Sequence, residues 1–121
     1  MGDPTAAPSF VRDGTKFDAF QRRVAEEILR VIRMELEKAR FDAKRVQELT
    51  MTLAFHVCAI VDGSAMMEDQ QRPVVPVLSF SESRDEADKL ILDAFGVGSY
   101  MHELLAEIAD HVFEDDEVTS T

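Results

Sequence analysis

The chain has 121 residues and a net charge of −11, with 45% hydrophobic and 31% charged residues, the proportions of a globular domain and not of a disordered chain. Residues 1–60 carry ten Lys/Arg and nine Asp/Glu, whereas residues 61–121 carry three and fifteen. The acidic second half disfavours binding to nucleic acid or anionic lipid and favours a basic partner. This asymmetry bears on partners and not on the fold.

The sequence predicts neither a membrane protein nor a secreted one. No apolar run approaches the ~20 residues of a membrane span, and Met1–Pro8 lacks the basic and apolar regions of a secretory signal. A single cysteine, Cys58, excludes an internal disulfide and fits a reducing compartment. We therefore expect a cytoplasmic protein that binds no membrane.

The first half of the chain predicts a pair of helices. Residues 1–15 are expected to form a loose leader, with Asp13 or Thr15 as the cap of the helix that follows. From Lys16 to Arg40, apolar residues recur at steps of three and four, and charged pairs four residues apart occupy the opposite face. This pattern predicts an amphipathic helix.

Residues 43–61 fit two interpretations. Apolar residues recur at helical spacing, and Asp62–Gly63 would end the helix with Gly63 in the left-handed conformation. The same residues also alternate as in a strand around Met51–Ala59. Nineteen residues without a breaker are ordinary for a helix and long for a strand, so the length favours a helix. A short link at Arg40–Asp42 would make it antiparallel to the first helix.

The second half predicts a small β element and two more helices. Residues 74–80 indicate an edge strand because Pro76 cannot donate to a ladder, and residues 65–70 would pair with it as a hairpin through 71–73. Ser83 and Ser99 are expected N-caps of two helices. The apolar stripe of the first is Ala87, Leu90, Ile91, Ala94 and Phe95, and that of the second is Met101, Leu104, Leu105, Ile108 and Val112.

These elements predict an α+β fold that is mostly helical: an antiparallel helix pair, one β-hairpin or edge strand, then two further helices. We expect a single compact domain over residues 16–113, preceded by the loose leader 1–15 and followed by a frayed acidic tail at 114–121.

The sequence contains no motif that specifies a reaction, so we expect no catalytic residue, no metal and no cofactor. If the protein were an enzyme or a ligand binder, a pocket between the central helix and the strand would have His56, Cys58 and Asp62 as its nearest polar groups. A buried structural cysteine is the more ordinary role for Cys58.

We expect the protein to act by protein–protein contact, as a regulator, inhibitor or immunity-type binder of a basic partner, with no nucleic acid bound. Acidic residues would raise the association rate, and an exposed methionine pair would offer an adaptable apolar contact. A structural homodimer is an alternative that is compatible with this function. The predicted partner-binding residues are Glu103, Glu107, Asp110, Glu114, Asp115, Asp116, Glu117, Met66 and Met67.

Overall fold

A computed structural model of the protein describes residues 9–84, 88–93 and 99–119, with the side chains of the last segment described as far as residue 114. Its elements, in chain order, are β1 (Ser9–Arg12), α1 (Gly14–Lys38), α2 (Ala43–Asp62), β2 (Met67–Asp69), β3 (Arg72–Val74), β4 (Lys89–Leu92) and α3 (Met101–Thr119). The fold is α+β and mostly helical, as the sequence predicted.

The first predicted helix is confirmed as α1. Of the two candidate caps, Asp13 is the one used, since its side chain accepts a 3.0 Å hydrogen bond from the backbone N–H of Lys16. The buried residues of α1 are Phe17, Gln21, Ala25 and Leu29, one every four positions, so a single stripe of the helix faces the core.

The helical interpretation of residues 43–61 is confirmed by α2, and the strand alternative is wrong. Asp42 caps the start of α2 by accepting from the backbone N–H of Arg45 at 2.8 Å. Gly63 ends it in the left-handed conformation, with φ of +80°. A Cβ at this position would lie 2.8 Å from Cγ1 of Val75, so Gly63 also permits a close approach of the following segment.

The three helices share one core. The turn between α1 and α2 makes them antiparallel. Gln21 near the start of α1 contacts Tyr100, and Arg33 near its end contacts Val112, so α3 runs parallel to α1. The buried cluster contains Ala25, Leu29, Ala54, Cys58, Met101, Leu104, Leu105, Ile108, Ala109 and Val112.

The predicted helix from Ser83 is wrong in its described part, because residues 89–92 form β4, which pairs in parallel with β1. The run Lys89–Leu92 is short and continuously apolar after its lysine, and such a run fits a buried strand as well as a helix. Residues 9–12, expected in the loose leader, are therefore a strand. The remaining predicted helix positions Ala87, Ala94 and Phe95 lie outside the described residues.

The predicted hairpin is present, but its strands are shorter than predicted and its turn lies earlier in the chain. Its turn is Gln70–Gln71, with φ of +50° and +66°, and only Arg72–Val74 forms the second strand. Residues 75–79 are irregular, and Phe80 makes an isolated bridge to Ile91. The ring of Phe80 contacts Phe17 edge-on at a centroid distance of 5.3 Å, which joins this segment to α1.

The last predicted helix is confirmed as α3, and its backbone remains helical to Thr119, through most of the segment expected to be a frayed tail. Within the described residues, no helix is both long and apolar enough to cross a membrane.

Candidate functional site

Polar contacts define the side of α1 that faces α3. Arg22 makes a 3.3 Å ion pair with Glu107. Arg33 donates a 2.6 Å hydrogen bond to the carbonyl of Val112, and its guanidinium lies 5.2 Å from the ring centroid of Phe113. These side chains therefore lie on the α3 side of α1.

The other side of α1 is mainly apolar between Phe20 and Val31. Val24 and Ile28 are half-buried against the core, and Val31 is 48% exposed. At about 100° per residue, Val24 and Val31 lie on the side of α1 that points away from α3. At the N-terminal end of this side, Phe20 is in edge contact with Phe80 at 5.5 Å.

The same separation of sides exists on α2. Contacts of Phe55 and Asp62 with His102 identify the side that faces α3. On the side away from α3 are four apolar residues at helical spacing, of which Leu53 is 43%, Val57 40% and Ile60 48% exposed. The fourth, Leu49, is half-buried.

Together these residues form one apolar surface across the helix pair. Because α1 and α2 are adjacent and antiparallel, their sides that point away from α3 lie next to each other. We call this surface the α1–α2 outer face; its residues are Val24, Val31, Leu49, Leu53, Val57 and Ile60. Contiguous exposed apolar surface on a folded protein marks an interaction site more often than isolated apolar residues do.

The charged edge of the outer face on α1 contains both signs. Arg23 makes a 2.6 Å ion pair with Glu27, and Lys38 makes a 3.4 Å ion pair with Glu35. This edge is therefore close to neutral. The apolar centre with a polar edge is the composition found at protein–protein interfaces.

The predicted acidic residues lie on the opposite side of the molecule. Glu103, Glu107, Asp110 and Glu114 are exposed, and their spacing places them in one stripe along the outer side of α3. We call these four residues the acidic stripe. The side chains of Asp115, Asp116 and Glu117 lie outside the described residues, although the backbone there is helical.

The two methionines predicted to bind a partner are placed differently. Met66 is 89% exposed, just before β2, with φ of +48°, whereas Met67 is half-buried within β2. Only Met66 presents its thioether fully to solvent. Because neither methionine lies on α1, α2 or α3, neither belongs to the acidic stripe or to the α1–α2 outer face.

Of the three predicted pocket residues, Cys58 and Asp62 lie one helical turn apart, and His56 does not join them. The carboxylate of Asp62 is fully buried, and its Oδ2 accepts hydrogen bonds from the backbone N–H of His102 at 2.9 Å and from its ring Nδ1 at 2.5 Å. His56 is exposed, and Cys58 is buried in the core cluster. Asp62 thus pairs with a histidine of α3 and not with His56.

Cys58 lacks the environment of a nucleophile. Burial, with a smaller contribution from the charge of Asp62, raises the pKa of the Cys58 thiol to about 11. A reactive cysteine needs a lowered pKa and access to solvent. The geometry therefore fits the structural role for this thiol.

The described clefts lie elsewhere. One of about 480 Å³ is lined by Arg30, Arg33, Met34, Glu37 and Lys38, and one of about 360 Å³ lies between β1, β4 and residues 81–83. Neither includes His56, Cys58 or Asp62. Among the described side chains, no three His, Cys, Asp or Glu residues are grouped as a metal site.

Sequence reasoning missed a second polar network, at the start of α3. Gln21 is fully buried, and its Oε1 accepts hydrogen bonds from the hydroxyl of Ser99 at 3.3 Å and from the backbone N–H of Tyr100 at 3.1 Å. Asp18 accepts from Gln21 and from the Tyr100 hydroxyl. The available signal was the position of Gln21, four residues from Phe17 and from Ala25 on the buried stripe.

The chain was compared with protein-family models, with curated proteins and with solved structures, and none of them matches it.

Proposed function

We propose that this protein works by binding another protein, and that the α1–α2 outer face is its contact surface. The observation that carries this proposal is the exposure of Val31, Leu53, Val57 and Ile60, each at least 40% exposed, on the sides of α1 and α2 that point away from α3. Covering these side chains would remove apolar area from water, which is the main driving force of protein association.

Capture experiments with matched variants test this proposal. Immobilised wild-type protein is compared with Leu53→Glu and Ile60→Glu, which place a charge in the centre of the outer face. Met66→Glu is the control, because it makes the same chemical change at an exposed apolar residue outside that face. We expect wild type and Met66→Glu to retain a defined protein that both outer-face variants lose. A second copy of this chain counts as such a protein.

The result that contradicts the proposal is equal retention by all four proteins, or retention of nothing by wild type. Circular dichroism of each variant verifies the fold. Since residues 53 and 60 are both more than 40% exposed, a charge at either position leaves the core contacts intact.

The acidic stripe favours a second candidate function, recognition of a basic partner. Residues 101–119 contain seven Asp/Glu and no Lys or Arg, and four of these acids form the stripe on α3. Exposed charge of one sign steers a partner of opposite charge and raises the association rate. This contact would occupy the side of the molecule opposite the outer face.

Charge reversal distinguishes a binding stripe from a solubilising coat. Asp110→Lys with Glu114→Lys changes the net charge by +4 within the stripe, and Glu68→Lys with Asp69→Lys makes the same change on the hairpin. A binding stripe predicts that wild type and Leu53→Glu both capture a basic protein, that only the first pair of substitutions loses it, and that salt releases it. Equal effects of the two pairs would mean that net charge alone acts.

A further inference from the structure

We propose that the partner seated on the α1–α2 outer face is a second copy of this chain, bound through the same face. This inference rests on the proposed function, since it names the occupant of the surface assigned there. The resulting assembly is an isologous homodimer in which α1 and α2 of one protomer pack against α1 and α2 of the other.

The distribution of charge supports a second copy. Residues 14–62, which contain both helices of the outer face, carry nine Lys/Arg and eight Asp/Glu, a net of +1. The rest of the chain holds the excess of acid, so two copies with −11 each would repel least when these helices meet.

The position of the acidic stripe leads to the same arrangement. It lies on the outer side of α3, while the outer face points away from α3. In the dimer, therefore, the two stripes are on opposite outer surfaces with both helix pairs between them. Screening over about 10 Å at ordinary ionic strength then leaves little repulsion between them.

The helix pair that carries the outer face is large enough for a stable dimer contact. The overlap of α1 and α2 is about 20 residues, or about 30 Å, and two adjacent helices are about 20 Å wide. The whole flank of the helix pair, which includes the outer face and its charged edges, therefore has a projected area of about 600 Å². Standard interfaces cover about 800 Å² on each partner.

The edge of the face is compatible with two-fold symmetry. A surface that binds its own copy must be complementary to itself. An edge with charges of only one sign would therefore repel the same edge of the second copy. The α1 edge carries both signs, with Arg23 paired to Glu27 and Lys38 paired to Glu35. Such an edge can meet its copy with opposite charges facing each other.

Sedimentation equilibrium of the purified full chain tests the inference. We expect wild type and Met66→Glu to dimerise reversibly in the micromolar range. In Leu53→Glu the dissociation constant should rise at least about tenfold, because a charge is buried at the centre of the interface. A wild-type protein that remains monomeric at several hundred micromolar would overturn the inference.

Cross-linking gives a readout that does not depend on disrupting the face. Cys58 is buried, so a cysteine introduced at the surface is the reactive thiol. With a short bismaleimide linker, Leu53→Cys and Val31→Cys should give covalent dimers, whereas Ala106→Cys on the exposed side of α3 should not. Equal cross-linking at all three positions would contradict an interface at this face.

The outcomes separate this inference from the proposed function. A monomer whose outer face retains a different protein, lost in Leu53→Glu, overturns the homodimer and leaves the binding function supported. A dimer that is unchanged in Leu53→Glu and Ile60→Glu places the dimer contact elsewhere and overturns the homodimer at this face. It contradicts the proposed function as well when the two variants also retain every protein that wild type captures. A monomer that retains no protein also contradicts both.

Discussion

The carboxylate of Asp62 and the first turn of α3 are joined by two hydrogen bonds to His102, one from the backbone N–H and one from the ring Nδ1. The two residues are 40 positions apart in the chain. Asp62 thus serves α3 as a cap from outside the helix, placing a negative charge at the positive end of its dipole. The ring of Phe55 lies edge-on against His102 at 5.9 Å and covers part of the pair.

Replacing Asp62 by alanine should lower the free energy of unfolding by about 2 kcal/mol, since two donors of His102 lose their acceptor in a partly buried site. Urea denaturation measures this loss. The control is Glu103→Ala, the neighbouring exposed carboxylate in the same turn, for which we expect less than about 0.5 kcal/mol. Equal losses would show that the contact between Asp62 and His102 contributes no more to the free energy of unfolding than an exposed carboxylate does.

Replacing Gln21 by methionine, which is similar in length and shape, should destabilise the protein by about 1–3 kcal/mol. The change leaves the Ser99 hydroxyl and the Tyr100 N–H without their buried acceptor. Gln47→Met on the exposed surface of α2 is the matched control. If both variants unfold at the same urea concentration as wild type, the buried network does not hold the start of α3.

The stability of the protein should fall as the pH drops below about 4, in part through Asp18. Burial alone would raise the pKa of Asp18, but hydrogen bonds from Arg22, Gln21 and Tyr100 lower the pKa below its ordinary value in the folded state. A group with a lowered folded pKa stabilises the protein above its unfolded pKa. That contribution disappears as the pH falls through the folded pKa.

Asp18→Asn tests this pH dependence, because it removes the titrating group and retains a hydrogen-bond acceptor. Between pH 5 and pH 3, the variant should lose less stability than wild type in urea denaturation. Glu68→Gln, at an exposed carboxylate of β2, should behave as wild type. The assignment is wrong if the Asn variant loses as much stability as wild type over this range.

Gly63→Ala should lower the melting temperature by several degrees, because φ of +80° disfavours any residue with a Cβ and that atom would press on Val75. Ser64→Ala, one residue later, is the control, since Ser64 is exposed. If Gly63→Ala and Ser64→Ala have the same melting temperature, the segment after α2 can shift away from the new Cβ without destabilising the protein.

The three long helices could be predicted because local signals favour a helix in each of them, with length deciding between helix and strand for residues 43–61. The buried positions of α1 recur every four residues, Asp13 caps its start, and Gly63 provides the left-handed residue that ends α2. Caps, periodicity and glycine each act within a few residues, so they can be recognised without knowing the rest of the fold. The acidic stripe could be predicted for the same reason, as it follows from helical spacing on α3.

The short elements could not be predicted, because their partners are distant in sequence. Residues 89–92 become a strand by pairing with residues 9–12, about 80 positions earlier, and no local pattern records that pairing. The hairpin turn at Gln70–Gln71 lacks the glycine or asparagine that favours positive φ, so its position was misjudged by one to two residues.

Residues that are neighbours along the chain are enough to predict α1, α2 and α3, the cap at Asp13, the end of α2 at Gly63 and the uneven charge. The pairing of Asp62 with His102 and the exposure of Leu53, Val57 and Ile60 follow only from how the helices pack together. Apolar spacing shows that a helix has an apolar side but does not show how many neighbours will cover it. In this protein α2 has more apolar surface than α1 and α3 can bury, and the remainder is the face on which the proposed function depends.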